Sequence, residues 1–343
     1  MENTSPATAA PLISVVSPVY GAEQIVDKLV ERISEEVSQI TDNYEIVLVE
    51  DCGPDNSWAR IVANCHQHPK VKGARLSRNF GQHYALSAGL QLASGQYVVV
   101  MDCDLQDNPR YIHELYAAAL QGHDVVYTHK TKRKHSAFKN ITARLFFHLF
   151  NWLSDQQRTE ADAQTGTFSL LSRKAVNAFN SVKDYHRHYL MVLRWIGFKS
   201  TSIMIEHEAR YAGKSSYTFK KLINHAINGI TSQSDKLLRI SVGVGLVYFT
   251  ASILISLYLI VSYFLYGYKE GWASTIVIIL ISTGFILMAL GITGIYIGKI
   301  FEQVKGRPLF VIDQKLNFNT HTHESDGPGV NSSAHVPEEE AQS

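Results

Sequence analysis

The sequence predicts an α/β domain built on a mostly parallel sheet, followed by a two-helix transmembrane hairpin. Short β-branched runs alternate with helix-length stretches through the first 130 residues, the rhythm of βαβ units. Segments 240–266 and 272–298 contain no charged residue, and each exceeds the roughly 20 residues that span a bilayer. Only 267–271 separate them, too little for anything but a tight helical hairpin.

The strands are expected at 12–17 (LISVVS), 44–50 (YEIVLVE), 71–77, 97–101 and 124–128, with helices at 23–40, 57–66, 83–93 and 110–121. Asp107-Asn108-Pro109 reads as a turn that opens a helix, with Pro near its first position. From 130 to 239 the rhythm changes and two amphipathic helices are expected. In 137–153, Phe138, Ile141, Leu145, Leu149 and Trp152 share one stripe; in 219–238, Phe219, Leu222, Ile223, Ala226, Ile227 and Ile230 do. The second leads into the first span, which suits an apolar face in the headgroup region with lysines snorkelling. The first fits a membrane surface or the head equally well. The expected organisation is a disordered start (1–11), a head (12–217), a juxtamembrane helix (218–239), the hairpin (240–298), a post-membrane segment (299–316) and a disordered polar tail (317–343).

Composition narrows the function classes. A net charge of +1 argues against a nucleic-acid partner held by bulk electrostatics. Three cysteines without Cys-x-x-Cys spacing imply neither a disulfide framework nor a zinc site, and fit a reducing compartment. The 15 histidines include pairs two apart, but none has a third ligand at zinc spacing. The first dozen residues lack the basic start and apolar core of a signal peptide. Lys236 and Arg239 precede the first span, and Lys299, Lys305 and Arg307 follow the second. The positive-inside rule therefore puts the head and both termini in the cytoplasm.

The chemistry gathers at strand ends. VVVMDCDLQD ends a strand in Asp102 and Asp104, whose side chains, two apart, point the same way and can share one cation. Mg²⁺ or Mn²⁺, held by one or two carboxylates and completed by substrate phosphates, suits that donor set. A solvated strand-to-helix turn explains the same two residues. SPVYGAEQ, with Pro18, Tyr20 and Glu23, ends the first strand; VEDCGPDNS, with Glu50, Asp51 and Asp55, ends the second. All three ends would line one crevice. There Tyr20 can cover a nucleobase and a carboxylate can accept a base or ribose hydrogen. Asp51, if buried, needs a donor, and Asp55 reads as a helix cap. The loop 207–217 offers Arg210 and Lys214 to a diphosphate, or is an ordinary linker. The basic run 130–134 suits a lipid phosphate or anionic headgroups.

Taken together, SVVSPVY, EIVLVEDCG, SRNFGQHYALSAGL, VVVMDCDLQDNP, SLLSRKAV and KIFEQVKGRPLF resemble the inverting glycosyltransferase family 2 of GT-A type. The resemblance runs from about residue 12 to 317 and favours the branch of dolichol-phosphate mannosyltransferases and bactoprenol glucosyltransferases. It implies transfer of a sugar from a nucleotide donor, with UDP the expected nucleotide, to a polyprenyl phosphate at the cytoplasmic face of a bacterial inner membrane. By resemblance, Pro18, Tyr20, Glu23 and Asp51 contact the nucleotide, Asp102 and Asp104 hold the metal and diphosphate, and Gln106 lies beside them. Arg210 reaches the donor phosphates, and Lys130, Arg133 and Lys139 fall near the acceptor phosphate. Gly294 and Gly298 have the spacing of close helix packing, and bacterial members can be tetramers. The chain departs from many relatives in three places: Thr167 and Ser169 replace the Asp and Arg of a GDFRL stretch, Ser216 precedes Tyr217 where a basic residue is common, and Leu237 replaces a Pro. The missing Asp favours a phosphate over a hydroxyl acceptor. A processive polysaccharide synthase of the same fold would carry Gln-x-x-Arg-Trp, where this chain has Met191-Val192-Leu193-Arg194-Trp195. A non-catalytic membrane scaffold would have no use for clustered acids.

Overall fold

A computed structural model describes residues 10–130, 165–185, 187–206, 236–266 and 271–318. The chain runs β1 (Ile13–Val19), α1 (Val26–Ser38), β2 (Tyr44–Glu50), α2 (Ser57–Gln67), β3 (Val71–Leu76), α3 (Gln82–Leu92), β4 (Tyr97–Val100), α4 (Ile112–Leu120), β5 (Val125–Lys130), β6 (Thr165–Ser172), α5 (Arg173–Ser181), α6 (Tyr189–Ile196), β7 (Ser200–Ile205), α7 (Lys236–Tyr266), α8 (Trp272–Val304) and β8 (Ile312–Leu316). A short 3₁₀ turn, Pro109–Tyr111, leads into α4, and Asn108 caps it by accepting the Arg110 N–H.

One eight-stranded sheet takes the order β7-β5-β6-β4-β1-β2-β3-β8. β1 pairs in parallel with β2 and β4, and β2 with β3. β6 lies antiparallel between β4 and β5, and β8 antiparallel on β3. This is the mostly parallel sheet expected from the sequence. The central strands are buried on both faces, which is why they read as unbroken apolar runs. Ile13, Val15, Ile46, Leu48 and Val99 pack on the side of α1, α2 and α4. Val16, Val47, Val49, Val98 and Val100 pack on the side of α3, α5 and α6.

α3 crosses β1 and β2 at very close range. A Cβ at Gly89 would overlap Val16 Cγ1 and press on Val49 Cγ2. Gly89→Ala is therefore expected to destabilise the head by about 1–3 kcal/mol, as overpacking of a filled core does, read by urea denaturation of the full chain.

The five strands and four helices expected up to residue 130 are all present. Three strands and two helices beyond it, β6, β7, β8, α5 and α6, were not anticipated. β7 alternates exposed and half-buried positions, and β8 has three exposed residues in five, so neither carries an apolar run. The helix expected over 137–153 lies outside the described residues, as does all of 219–238 except its last three residues, which open α7. α7 and α8 are long and apolar enough to cross a membrane. They lie against each other at Tyr248 and Phe285, ring centroids 5.3 Å apart, and leave Phe249, Leu254, Phe264, Leu287 and Ile297 exposed. A Cβ at Gly294 or Gly298 would meet nothing of the described chain, so their spacing does not serve the contact with α7. After α8 the chain returns to the sheet as β8. Asn317, expected to begin the free tail, instead donates to the Cys65 and Val71 carbonyls at 2.7 and 2.8 Å.

Candidate active site

The sheet reverses direction of growth at β1. The chain proceeds to β2 and β3 on one side, then crosses to β4 on the other. Such a switch point opens a crevice outside the carboxyl ends of the strands, and the ends of β4, β1 and β2 lie side by side there.

Beyond β1, Tyr20 stands 53% exposed at the mouth. Pro18 is buried within the strand opposite Val49. Gly21 takes φ +62°, the left-handed region that glycine enters without strain. The turn is then tied to the start of α2. Ala22 N–H donates to Ser57 Oγ at 2.9 Å, Glu23 N–H donates to Asp55 Oδ2 at 2.9 Å, and Ser57 Oγ donates to Asp55 Oδ1 at 2.6 Å. The Glu23 carboxylate accepts from Asn56 N–H at 3.3 Å and Asn56 Nδ2 at 3.4 Å. Asp55 is thus more than a helix cap, because it joins two strand-end loops. Burial pushes its carboxyl up, but the Ser57 and Glu23 donors prevail and hold it below the usual value.

At the end of β2, buried Glu50 accepts from Gly53 N–H and from Arg75 Nε, the latter at 3.2 Å. Asp51, also buried, finds the donors it needs in two successive backbone groups, Phe80 N–H at 2.7 Å and Gly81 N–H at 2.8 Å. Burial nonetheless pushes its carboxyl above the ordinary value, outweighing those two donors and the nearby Arg78 charge.

At the end of β4, Asp102 Oδ1 accepts from Gln82 Nε2 at 2.8 Å, and Asp104 Oδ1 accepts from Gln106 N–H at 3.1 Å. Both carboxylates are half-buried, with one oxygen of each held in place. Leu105, buried, takes φ +54°, a strained conformation for a leucine at the turn that brings Gln106 N–H back to Asp104. Burial, with the Asp102 and Asp104 charges, pushes the intervening Cys103 thiol up to about 12, so it is no nucleophile at neutral pH. Among the described residues no cluster of three or more His, Cys, Asp or Glu is gathered for a metal. A Mg²⁺ or Mn²⁺ ion that keeps water and phosphate ligands needs only one or two carboxylates, and Asp102 and Asp104 fit that demand.

Thr167 and Ser169 lie on β6. Ser169 Oγ donates to the Thr167 carbonyl and meets Tyr189 Oη, each at 2.8 Å, and burial pushes the Tyr189 hydroxyl far up. Neither position offers a base. Lys130 is the last residue of β5, two strands from β4 in the sheet. Arg133, Lys139 and Arg210 lie outside the described residues. A cavity of about 550 Å³, lined by Tyr44, Asn64 and Lys70 among others, sits at the opposite ends of β2 and β3 and does not belong to this crevice. Sequence reasoning gave no role to Gln82 or to the Phe80–Gly81 amides. The signal was the turn run Arg78-Asn79-Phe80-Gly81 directly before a helix, whose first amides are natural acceptor-seekers.

Carboxylates and ordered loops gathered at the switch point of such a sheet place the protein among α/β proteins whose ligand crevice lies outside the carboxyl ends of the strands. The chain belongs to glycosyl transferase family 2, whose family model matches residues 14–179. It is 34% identical to the uncharacterized glycosyltransferase YkcC of Bacillus subtilis, over 88% of this chain and 93% of that one. It is 32% identical to the SfII prophage-derived bactoprenol glucosyl transferase of Shigella flexneri, over 90% and 99%. An undecaprenyl-phosphate 4-deoxy-4-formamido-L-arabinose transferase of Photorhabdus laumondii is 28% identical over 90% and 95%. The solved glucosyl-3-phosphoglycerate synthase of Mycobacterium tuberculosis, with Mn²⁺, UDP and phosphoglyceric acid, matches at a TM-score of 0.46 and 16% identity, over 65% of this chain and 77% of that one. The protein is a glycosyltransferase, and its relatives include transferases named for undecaprenyl phosphate and bactoprenol.

Proposed function

We propose that this glycosyltransferase moves a sugar, with inversion, from a nucleotide-sugar donor (a UDP-sugar by analogy with the relatives) to a polyprenyl phosphate at the cytoplasmic face of a bacterial inner membrane. The observation that carries the lipid acceptor is the return of the chain. α8 ends at Val304 and β8, a strand of the head's own sheet, begins at Ile312. With α7 and α8 in a bilayer, both ends of the hairpin lie on the head's side, and the crevice works at the level where a lipid phosphate sits.

In this reading Tyr20 covers the base and Asp51 accepts a hydrogen from base or ribose, while Pro18, Glu23 and Gln106 shape the walls. Asp102 and Asp104 would hold Mg²⁺ or Mn²⁺, which supplies charge neutralisation to the departing diphosphate. Arg210 adds a second positive charge there, and Lys130, Arg133 and Lys139 meet the acceptor phosphate. A phosphate monoester has its second pKa near ~6 and is largely a dianion at neutral pH. Its oxygen attacks the anomeric carbon directly and needs no proton removed, which suits Thr167 in place of an acid. The enzyme's work is then alignment and electrostatics.

The test is to incubate membranes holding the full chain with a panel of nucleotide sugars, Mg²⁺ and undecaprenyl phosphate. The expected product extracts into organic solvent with the mass of one sugar per lipid phosphate. A polymer, or no lipid-linked sugar from any donor, would overturn the proposal.

A further inference from the structure

The last turn of α8 is wired to the donor crevice. Gln303 uses both ends of its amide on one head loop: Oε1 accepts the Tyr185 N–H at 2.8 Å, and Nε2 donates to the Lys183 carbonyl at 2.9 Å. The Tyr185 carbonyl in turn accepts the Tyr84 hydroxyl at 2.8 Å, and the two tyrosine rings lie 6.3 Å apart. Tyr84 belongs to the first turn of α3, its own N–H bonded to the Gly81 carbonyl at 3.0 Å. That same turn holds two acids of the crevice, through Gln82 on Asp102 and the Phe80 and Gly81 amides on Asp51.

We propose that Gln303 and Tyr84 are positioning residues for donor binding, which set the first turn of α3, and with it Asp51 and Asp102, according to the seat of α8 on the head. The proposal rests on the donor-site reading above and deepens it. Neither residue touches the donor. Each acts through the loop 183–185, where a carboxamide with one acceptor and one donor answers a backbone N–H and a backbone carbonyl at once. A physical link of this kind couples two places when a displacement at one changes the equilibrium at the other. Here the consequence is that the crevice is fully formed only when the hairpin is seated, so donor is bound best by a correctly inserted enzyme.

The experiment uses the full chain in lipid nanodiscs and measures the Kd for UDP and for GDP with Mn²⁺, alongside the thermal midpoint. Gln303→Ala and Tyr84→Phe are each expected to weaken binding of the preferred nucleotide roughly 3- to 10-fold. Combined, they are expected to do no more than the stronger single variant, because both cut one chain of contacts. A purely structural role would lower the thermal midpoint and leave Kd unmoved. Multiplicative effects in the double variant, or unchanged Kd in both single variants, would overturn the coupling. If Gln303→Ala does not accumulate, Tyr84→Phe, which keeps the ring, decides alone by the same Kd criterion. Wild-type protein that binds neither nucleotide would instead overturn the donor-site reading, a separate and recognisable failure.

Discussion

Asp104→Ala is expected to lower turnover by about 10²–10³-fold, the usual loss when one group that neutralises developing charge is removed, while the head stays folded. The geometry separates the two effects. Asp104 is half-buried and its Oδ1 accepts the Gln106 N–H at 3.1 Å, a contact whose loss costs the fold about 1 kcal/mol. The proposed metal, in contrast, loses one of the two carboxylates that would hold it. Asp104→Asn sharpens the point, because the amide oxygen keeps the Gln106 bond and the negative charge is lost. Initial rates across a Mn²⁺ titration should show both variants slow, with the Asn form partly restored at high metal. Activity within about threefold of wild type at saturating metal would remove Asp104 from the metal site, since a lost ligand shifts far more than that.

How much of this was legible in the sequence depends on where each contact is made. β1, β2 and β4 announce themselves because a strand buried on both faces is largely apolar. YEIVLVE is such a strand, and the polar residue near its start, Glu45, is buried with partners in Ser14, Ser94 and Lys72. β6 (TGTFSLLS) mixes two serines and two threonines into a sheet strand and buries Ser169, where Thr128 and Tyr189 satisfy the Phe168 carbonyl and Ser169 hydroxyl, and no periodicity shows that. β8 is a five-residue edge strand that opens at Ile312, 241 residues after its neighbour β3 opens at Val71, with Leu316 paired to Gly73; only the closed sheet reveals it. The site divides likewise. The acids stand at strand ends, and strand ends are local features of sequence. Gln82 reaches Asp102 across twenty positions, a pairing made by topology alone. Asp51 shows both sides: its need for a donor followed from its being a buried acid, but the identity of the donors did not.

Asp51→Ala is expected to weaken nucleotide binding by roughly 10- to 100-fold, the worth of about 1.5–3 kcal/mol for hydrogen bonds to a charged group, with little change in stability. The second half of that expectation follows from the direction of its acidity. Burial raises the Asp51 carboxyl above 3.8, and the Phe80 and Gly81 N–H groups and the Arg78 charge do not fully reverse it. A carboxyl whose folded value is raised binds its proton more readily in the folded chain. Its contribution to stability is therefore greatest below the unfolded value and declines as pH rises through the raised folded one. At neutral pH ionisation of the group costs folding relative to its protonated form; truncation ends that cost while stranding two amides, and the two terms oppose. As pH falls through the raised value, the wild-type chain should gain stability relative to Asp51→Ala, measurable as a pH-dependent difference in urea midpoints. A variant that loses several kcal/mol at neutral pH and binds UDP or GDP as well as wild type would make Asp51 a bracket for α3 instead of a nucleotide contact.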